Sequence, residues 1–141
     1  MNLHRSLRLG AAITLATFSA CRGAPPTTHL EATNALGPYS AAVDAGGIVF
    51  LAGKGGDPAL NFKEEVSGAI DAVEADLKRL GLTLSDVVSV NVFVTDMTRF
   101  PELNEVYAAR FPKPYPARTT VAVAALPKGM HVELQAFARR K

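Results

Sequence analysis

Cysteine, histidine, long apolar runs and excess charge are all scarce in this chain, and each scarcity removes a class of chemistry. Of 141 residues, one is cysteine and three are histidine. The lone thiol, Cys21, leaves no internal disulfide open to the fold, so a packed core has to suffice. His4, His29 and His131 are scattered without ligand spacing, so no metal site is expected. Neither a nucleophile elbow nor the GxxxxGK(S/T) phosphate loop occurs. The formal net charge is only +2, and no stripe of basic residues or aromatic stacking platform is present, which argues against nucleic acid as a partner. What remains is 48% hydrophobic residues against 20% charged, enough for one compact domain with a real core.

The first residues read as a leader rather than as part of that domain. MNLHRSLR has two arginines and no acid, LGAAITLATF is apolar apart from threonine, and SAC follows. Ten apolar residues are about half of what a membrane-spanning helix needs. Phe18-Ser19-Ala20-Cys21 resembles a bacterial lipobox, in which the Cys21 thiol receives a diacylglyceryl group and becomes the new N-terminus. Phe18 is bulkier than the leucine or valine usual there, yet it also spoils the small-x-small pattern of ordinary cleavage. Residues 1–21 are therefore expected to be a signal peptide ending at the lipidated cysteine. Residues 22–28, RGAPPTT, suit a tether, and 29–141 form the domain. Loss of Arg5 and Arg8 leaves thirteen basic against thirteen acidic residues, so the mature protein is near neutral. The expected address is exported, periplasmic or membrane-attached through the lipid alone, and cytoplasmic if the leader is an artefact.

Along the domain, His29–Ala32 suggests a short edge strand, and Thr33–Pro38 a turn. Ala41–Asp44 and Ile48–Lys54 flank Ala45-Gly46-Gly47 as a hairpin. Asn61 followed three residues later by Glu64 is a helix-start signal, and Val66, Ala69, Ile70, Val73, Leu77 and Leu80 form one apolar stripe that Gly81 can close. Val87–Thr95 alternates with period two, placing Val88, Val90, Val92 and Val94 on one face. A second helix is predicted over Thr98–Arg110, with Phe100, Leu103, Val106, Tyr107 and Phe111 on its apolar side, ended by FPKPYPA. Strands at Thr119–Ala124 and His131–Ala138 enclose Leu126-Pro127-Lys128-Gly129. The order β-β-β-α-β-α-β-β implies an α+β fold, a mixed sheet with two helices on one face. Because Val, Phe and Ala occupy both faces of several strands, the other face is expected to be an oligomer interface.

GPYS at 37–40, FVTDMTRFPELNEVYAARF at 93–111 and PARTTVAVAALPKGMHVELQAFA at 116–138 resemble the signature segments of the reactive-intermediate deaminase family, also called Rid or YjgF. The resemblance spans about residues 29–139. It implies a homotrimer of chorismate-mutase-like subunits with a ligand cleft at each subunit interface, and hydrolysis of enamines and imines such as 2-aminoacrylate to 2-keto acids and ammonia, without a cofactor. Arg118 falls on the family's substrate-carboxylate arginine, and Glu133 on the glutamate that orients the attacking water. Tyr39, Gly53, Asn104 and the Thr120 main chain fall on positions that line the cleft. Lys54, Ala52, Thr120 and Gln135 stand where the family often has glutamine, serine, cysteine and a second acid, departures that bear on substrate identity more than on reaction class.

The residue chemistry can be weighed apart from the resemblance. A guanidinium is a planar, permanently charged fork that matches a carboxylate with two parallel hydrogen bonds. An imine carbon is already electrophilic, so its hydrolysis needs a placed water, a proton route and a fixed substrate. Against this, Arg118 might equally pair with a surface acid. Glu133 could be a solvated residue on the polar side of HVELQAF. Tyr39 could pack beside its turn, and Asn104 could face solvent. GKGGDP at 53–58 reads as a flexible connection. In a regular hairpin turning near Pro127-Lys128, Glu133 would pair with about Ala122, roughly 13 Å from Arg118. One small molecule could then touch both only if a bulge intervenes or the two meet across a subunit boundary. The rival function is a non-catalytic module that binds small carboxylates, or a chaperone-like surface, on the same oligomer. For the leader, Cys21→Ser is expected to move the protein from the membrane to the soluble fraction, and an unchanged distribution on fractionation would discard the lipobox.

Overall fold

The computed structural model describes residues 26–33 and 35–140. The leader, Cys21 and the first four tether residues lie outside them. Among the described residues the order is β1 (Thr28–Glu31), β2 (Ser40–Asp44), β3 (Ile48–Leu51), β4 (Lys54–Gly55), α1 (Phe62–Arg79), β5 (Val87–Val94), α2 (Phe100–Arg110), β6 (Ala117–Ala122) and β7 (Val132–Arg139).

Helix α1 forms where the sequence signals it. The Asn61 side chain accepts from the Glu64 N–H at 3.1 Å and the Glu64 carboxylate accepts from the Asn61 N–H at 3.3 Å, a reciprocal cap that satisfies two otherwise orphan donors. Val66, Ala69, Ile70, Val73 and Leu77 are all fully buried, and Gly81 closes the helix with a φ of 71°. Helix α2 begins after a 3-10 turn at Met97–Arg99, with Pro101 in its first turn, and buries Leu103 and Tyr107.

The strands lie in the order β1-β2-β3-β7-β5-β6, with β4 also on β7. Three expectations need correction. The third strand breaks after Leu51 and resumes as the two-residue β4, which pairs Lys54 with Leu134 and Gly55 with Glu133. β6 and β7 do not form a hairpin. β7 inserts between β3 and β5, while β6 lies parallel to β5 on its far side. The physical reason is burial. Val132, Leu134, Ala136 and Ala138 give β7 a fully buried face suited to the sheet centre, whereas β6 has no fully buried residue and takes the edge. Lastly, Val88 is 46% exposed rather than beside Val90, because a register shift between Val87 and Ser89 turns it outward and buries Val87 instead.

Both helices pack on the face carrying Val49, Leu51, Val90, Val92, Val94 and Leu134. No described residue forms a layer over the opposite face. Phe50 and Val121 there are 44% and 40% exposed, and Phe50 meets Phe137 edge-on at 5.6 Å. The register fixes which side each polar residue takes. Arg118 sits opposite Val90 and Thr120 opposite Val92, on the helix side, while Glu133 sits opposite Phe93 on the open side.

Candidate functional site

The strand-helix-strand unit β5-α2-β6 delivers Arg118 to the side of α2. Its guanidinium Nη2 donates to the Asn104 Oδ1 at 2.6 Å. It lies over the Tyr107 ring at 4.7 Å from the centroid and near the Phe100 ring at 5.4 Å. These three partners stand at helical positions i, i+4 and i+7, so one stripe of α2 holds the cation. None of the ion pairs of the described residues includes Arg118. The described residues thus show no surface ion pair for Arg118. A half-buried guanidinium with neutral neighbours keeps most of its five donors available, which is the state an anion site requires. The cavity beside it, about 440 Å³, is walled by Asn104, Tyr107, Ala108, Tyr115 and Pro116.

Glu133 occupies a second cavity of about 430 Å³, shared with Tyr39, Gly53, Lys128 and Met130. At Gly53 the Glu133 carboxylate lies where a Cβ would stand, so any larger residue there would displace the end of the Glu133 side chain. At Gly56 a Cβ would strike the Glu65 carbonyl. The GKGGDP segment is therefore pinned by close backbone approach, a correction to its reading as a flexible connection. Lys54 turns away from this cavity's chemistry, its ammonium 2.5 Å from the Asp76 carboxylate on α1. Tyr39 is exposed, its hydroxyl 3.4 Å from the Leu36 N–H.

The expected residues thus divide. Arg118 and Asn104 line one cavity, and Tyr39, Gly53 and Glu133 line the other. Thr120 lies on the Arg118 side of β6, its hydroxyl buried and without a hydrogen-bond partner. Two strand spacings and three residues separate Arg118 from Glu133, about 14 Å, and they face opposite sides of the sheet. No bulge in one protomer unites them. Cys21 lies outside the described residues. A third cavity, of about 350 Å³ between Leu84, Val88 and the Pro112-Pro114 loop, presents mainly apolar walls and Lys113.

Sequence reasoning missed two parts of this arrangement. Tyr107 and Phe100 read as plain apolar contacts, although their spacing from Asn104 marked a common stripe. Glu65 drew no attention in the sequence, yet it is fully buried, one oxygen accepting from the His131 N–H at 2.7 Å and the other within 2.8 Å of His131 Nδ1. That pair ties the start of β7, beside the Glu133 cavity, to α1. Its signal was phase: Glu65 falls between Phe62 and Ala69 on the inward side of the helix.

A family profile described as Endoribonuclease L-PSP matches residues 29–140. A 2-iminobutanoate/2-iminopropanoate deaminase of Dermatophagoides farinae is 38% identical over 109 residues, covering 72% of this chain and 85% of its own. A RutC family protein of Pyrococcus horikoshii is 36% identical over 118 residues, 79% of this chain and 94% of that one. Among solved structures, RidA from an Antarctic Psychrobacter species superposes with a TM-score of 0.72 at 40% identity, covering 77% of this chain and 94% of its own. A YjgF-family protein of Mycobacterium tuberculosis gives 0.74 at 33%, covering 81% and 99%.

Burial pushes the Tyr107 phenol up to about 12, the neighbouring Arg118 charge opposing the shift only partly. The folded protein therefore holds this proton more tightly than the unfolded chain. The associated stability, about 2–3 kcal/mol, is present in full below pH 10 and is lost as pH rises through 12. Denaturant unfolding at pH 9 and pH 11.5 is expected to show that loss in the wild type and a smaller one in Tyr107→Phe.

Proposed function

The chain belongs to the Endoribonuclease L-PSP family, the Rid/YjgF proteins, and from that premise we propose that it hydrolyses small enamino and imino acids to 2-keto acids and ammonia. The observation that carries this reading is Arg118: a half-buried guanidinium with no acid partner among the described residues, held by an amide and two rings beside an open cavity. The relative from Dermatophagoides farinae, named for 2-iminobutanoate and 2-iminopropanoate, supports a 2-imino acid as the substrate class.

In this reading the substrate carboxylate takes the free edge of the Arg118 fork, which fixes the imine carbon. Water adds to that carbon while Glu133 accepts one of its protons, giving a carbinolamine. Glu133 hands that proton to the nitrogen, the carbinolamine hydroxyl gives its own proton to the nitrogen as it becomes a carbonyl, and the C–N bond breaks to release ammonia. Imine and water are consumed, and keto acid and ammonia are formed.

The step requires Arg118 and Glu133 at one substrate, and within a protomer they face opposite sides of the sheet. We therefore place the working site between subunits of a homotrimer, with Arg118 of one copy brought to the Glu133 cavity of the next. The bare sheet face with Phe50, Phe137 and Val121 supports such association, since an apolar surface of that kind favours burial against another copy. The exported address, with Cys21 as lipid anchor, belongs to the same proposal. A ribonuclease activity finds less support, because from Cys21 onward thirteen basic against thirteen acidic residues offer no phosphate track.

Arg118→Ala is expected to abolish hydrolysis of 2-iminopropanoate while leaving the oligomer intact by light scattering. Asn104→Asp gives Arg118 the acid it lacks, so KM should rise at least tenfold with folding preserved. Full activity in either variant would reject the assignment, and binding without turnover in the wild type would favour the non-catalytic role.

A further inference from the structure

We propose that Tyr107 is a positioning residue of the anion site, acting through the face of its ring and not through its hydroxyl. The inference rests on the reading of Arg118 as the carboxylate fork and goes beyond it by naming what fixes that fork.

An arginine side chain has four rotatable bonds and a planar head, so aiming it costs conformational entropy unless its surroundings restrict it. One hydrogen bond to Asn104 fixes the rotation of the guanidinium within its plane but leaves the tilt of the plane free. A stacked ring removes that freedom. Tyr107 provides it at 4.7 Å, and it is itself stacked on Phe111 at 4.1 Å with 19° between the planes. Tyr107 thus touches both the cation and the Phe111 ring and is anchored in the core, since Phe111 is buried and Tyr107 only 5% exposed.

The hydroxyl stands apart from this work. It is buried with no hydrogen-bond partner, so a bound carboxylate has no access to it, and an unpaired buried hydroxyl costs stability. The ring itself stays useful across the working range, because burial holds the phenol neutral far above physiological pH and its negative face remains turned to the cation. Ring and hydroxyl are therefore separable by substitution.

The probe is pyruvate, the monocarboxylate product expected from 2-iminopropanoate, titrated calorimetrically into the full chain, with turnover measured in parallel. Tyr107→Phe is expected to keep the pyruvate Kd within about twofold and to raise Tm. Tyr107→Leu, which keeps an apolar filler but no π face, should weaken pyruvate about tenfold and raise KM more than it lowers kcat. Should the leucine variant fail to fold, phenylalanine at 107 with progressive ring fluorination keeps the shape while draining the negative face, and the Kd should climb with each fluorine at unchanged Tm. A Kd flat across that series overturns the proposal, as does a Tyr107→Phe variant that loses affinity like the leucine one. Pyruvate binding without turnover would leave the positioning role standing and remove the hydrolytic reading. Absence of pyruvate binding to the wild type would remove both.

Discussion

Among the described residues Arg118 is a cation without a counterion. Most of the arginines and lysines near the helices find a carboxylate: Arg79 and Lys54 share Asp76, Arg99 takes Glu102, and Arg110 reaches Asp71 and Glu74. Arg118 is instead given an amide oxygen and two ring faces, neutral groups that hold a guanidinium in place without cancelling its charge. A half-buried charge left in this state is favourable mainly when something negative comes to it from outside. The position of α2 over the sheet edge, the proline-rich loop that ends it and the parallel return into β6 can all be understood as what places that cation beside a cavity.

The second constraint is topological. β7 holds the sheet centre and β6 its edge, so the strand with the cation and the strand with Glu133 never touch. Alternation then assigns their side chains to opposite faces. In the proposed reading, catalysis with both residues takes a second copy of the chain, and the uncovered face bearing Phe50 and Val121 is the surface on which we place it. The same requirement ties function to assembly, since a protomer alone holds two incomplete halves.

Much of this was legible in the sequence. The capped helix with its stripe from Val66 to Leu77, the alternation around Val90 and the second helix after Pro101 follow from periodicity and local chemistry, and the structure has them. Residues flanking the cavities, Arg118 and Glu133 above all, came from the segments that resemble the family. The strand order did not come out of periodicity. HVELQAF and RTTVAVA both alternate, and a short Leu-Pro-Lys-Gly connection suggests a hairpin; only the competition for the buried centre, won by the strand with Val132, Leu134, Ala136 and Ala138, decides against it. Glu65 and Tyr107 escaped for a related reason. A buried carboxylate held by His131 and a ring stacked under a guanidinium are long-range contacts, and a single position in a pattern does not reveal its distant partner.

The most direct measurement of the shared-site account uses two inactive variants, Arg118→Ala and Glu133→Gln, unfolded together, refolded as mixed oligomers and assayed against 2-iminopropanoate. In a cyclic trimer whose sites take Arg118 from one copy and Glu133 from the next, every mixed assembly contains one complete site, so activity should return to about a quarter of the wild-type level. Mixtures as inactive as the separate variants, with mixed oligomers demonstrated by mass, would contradict it.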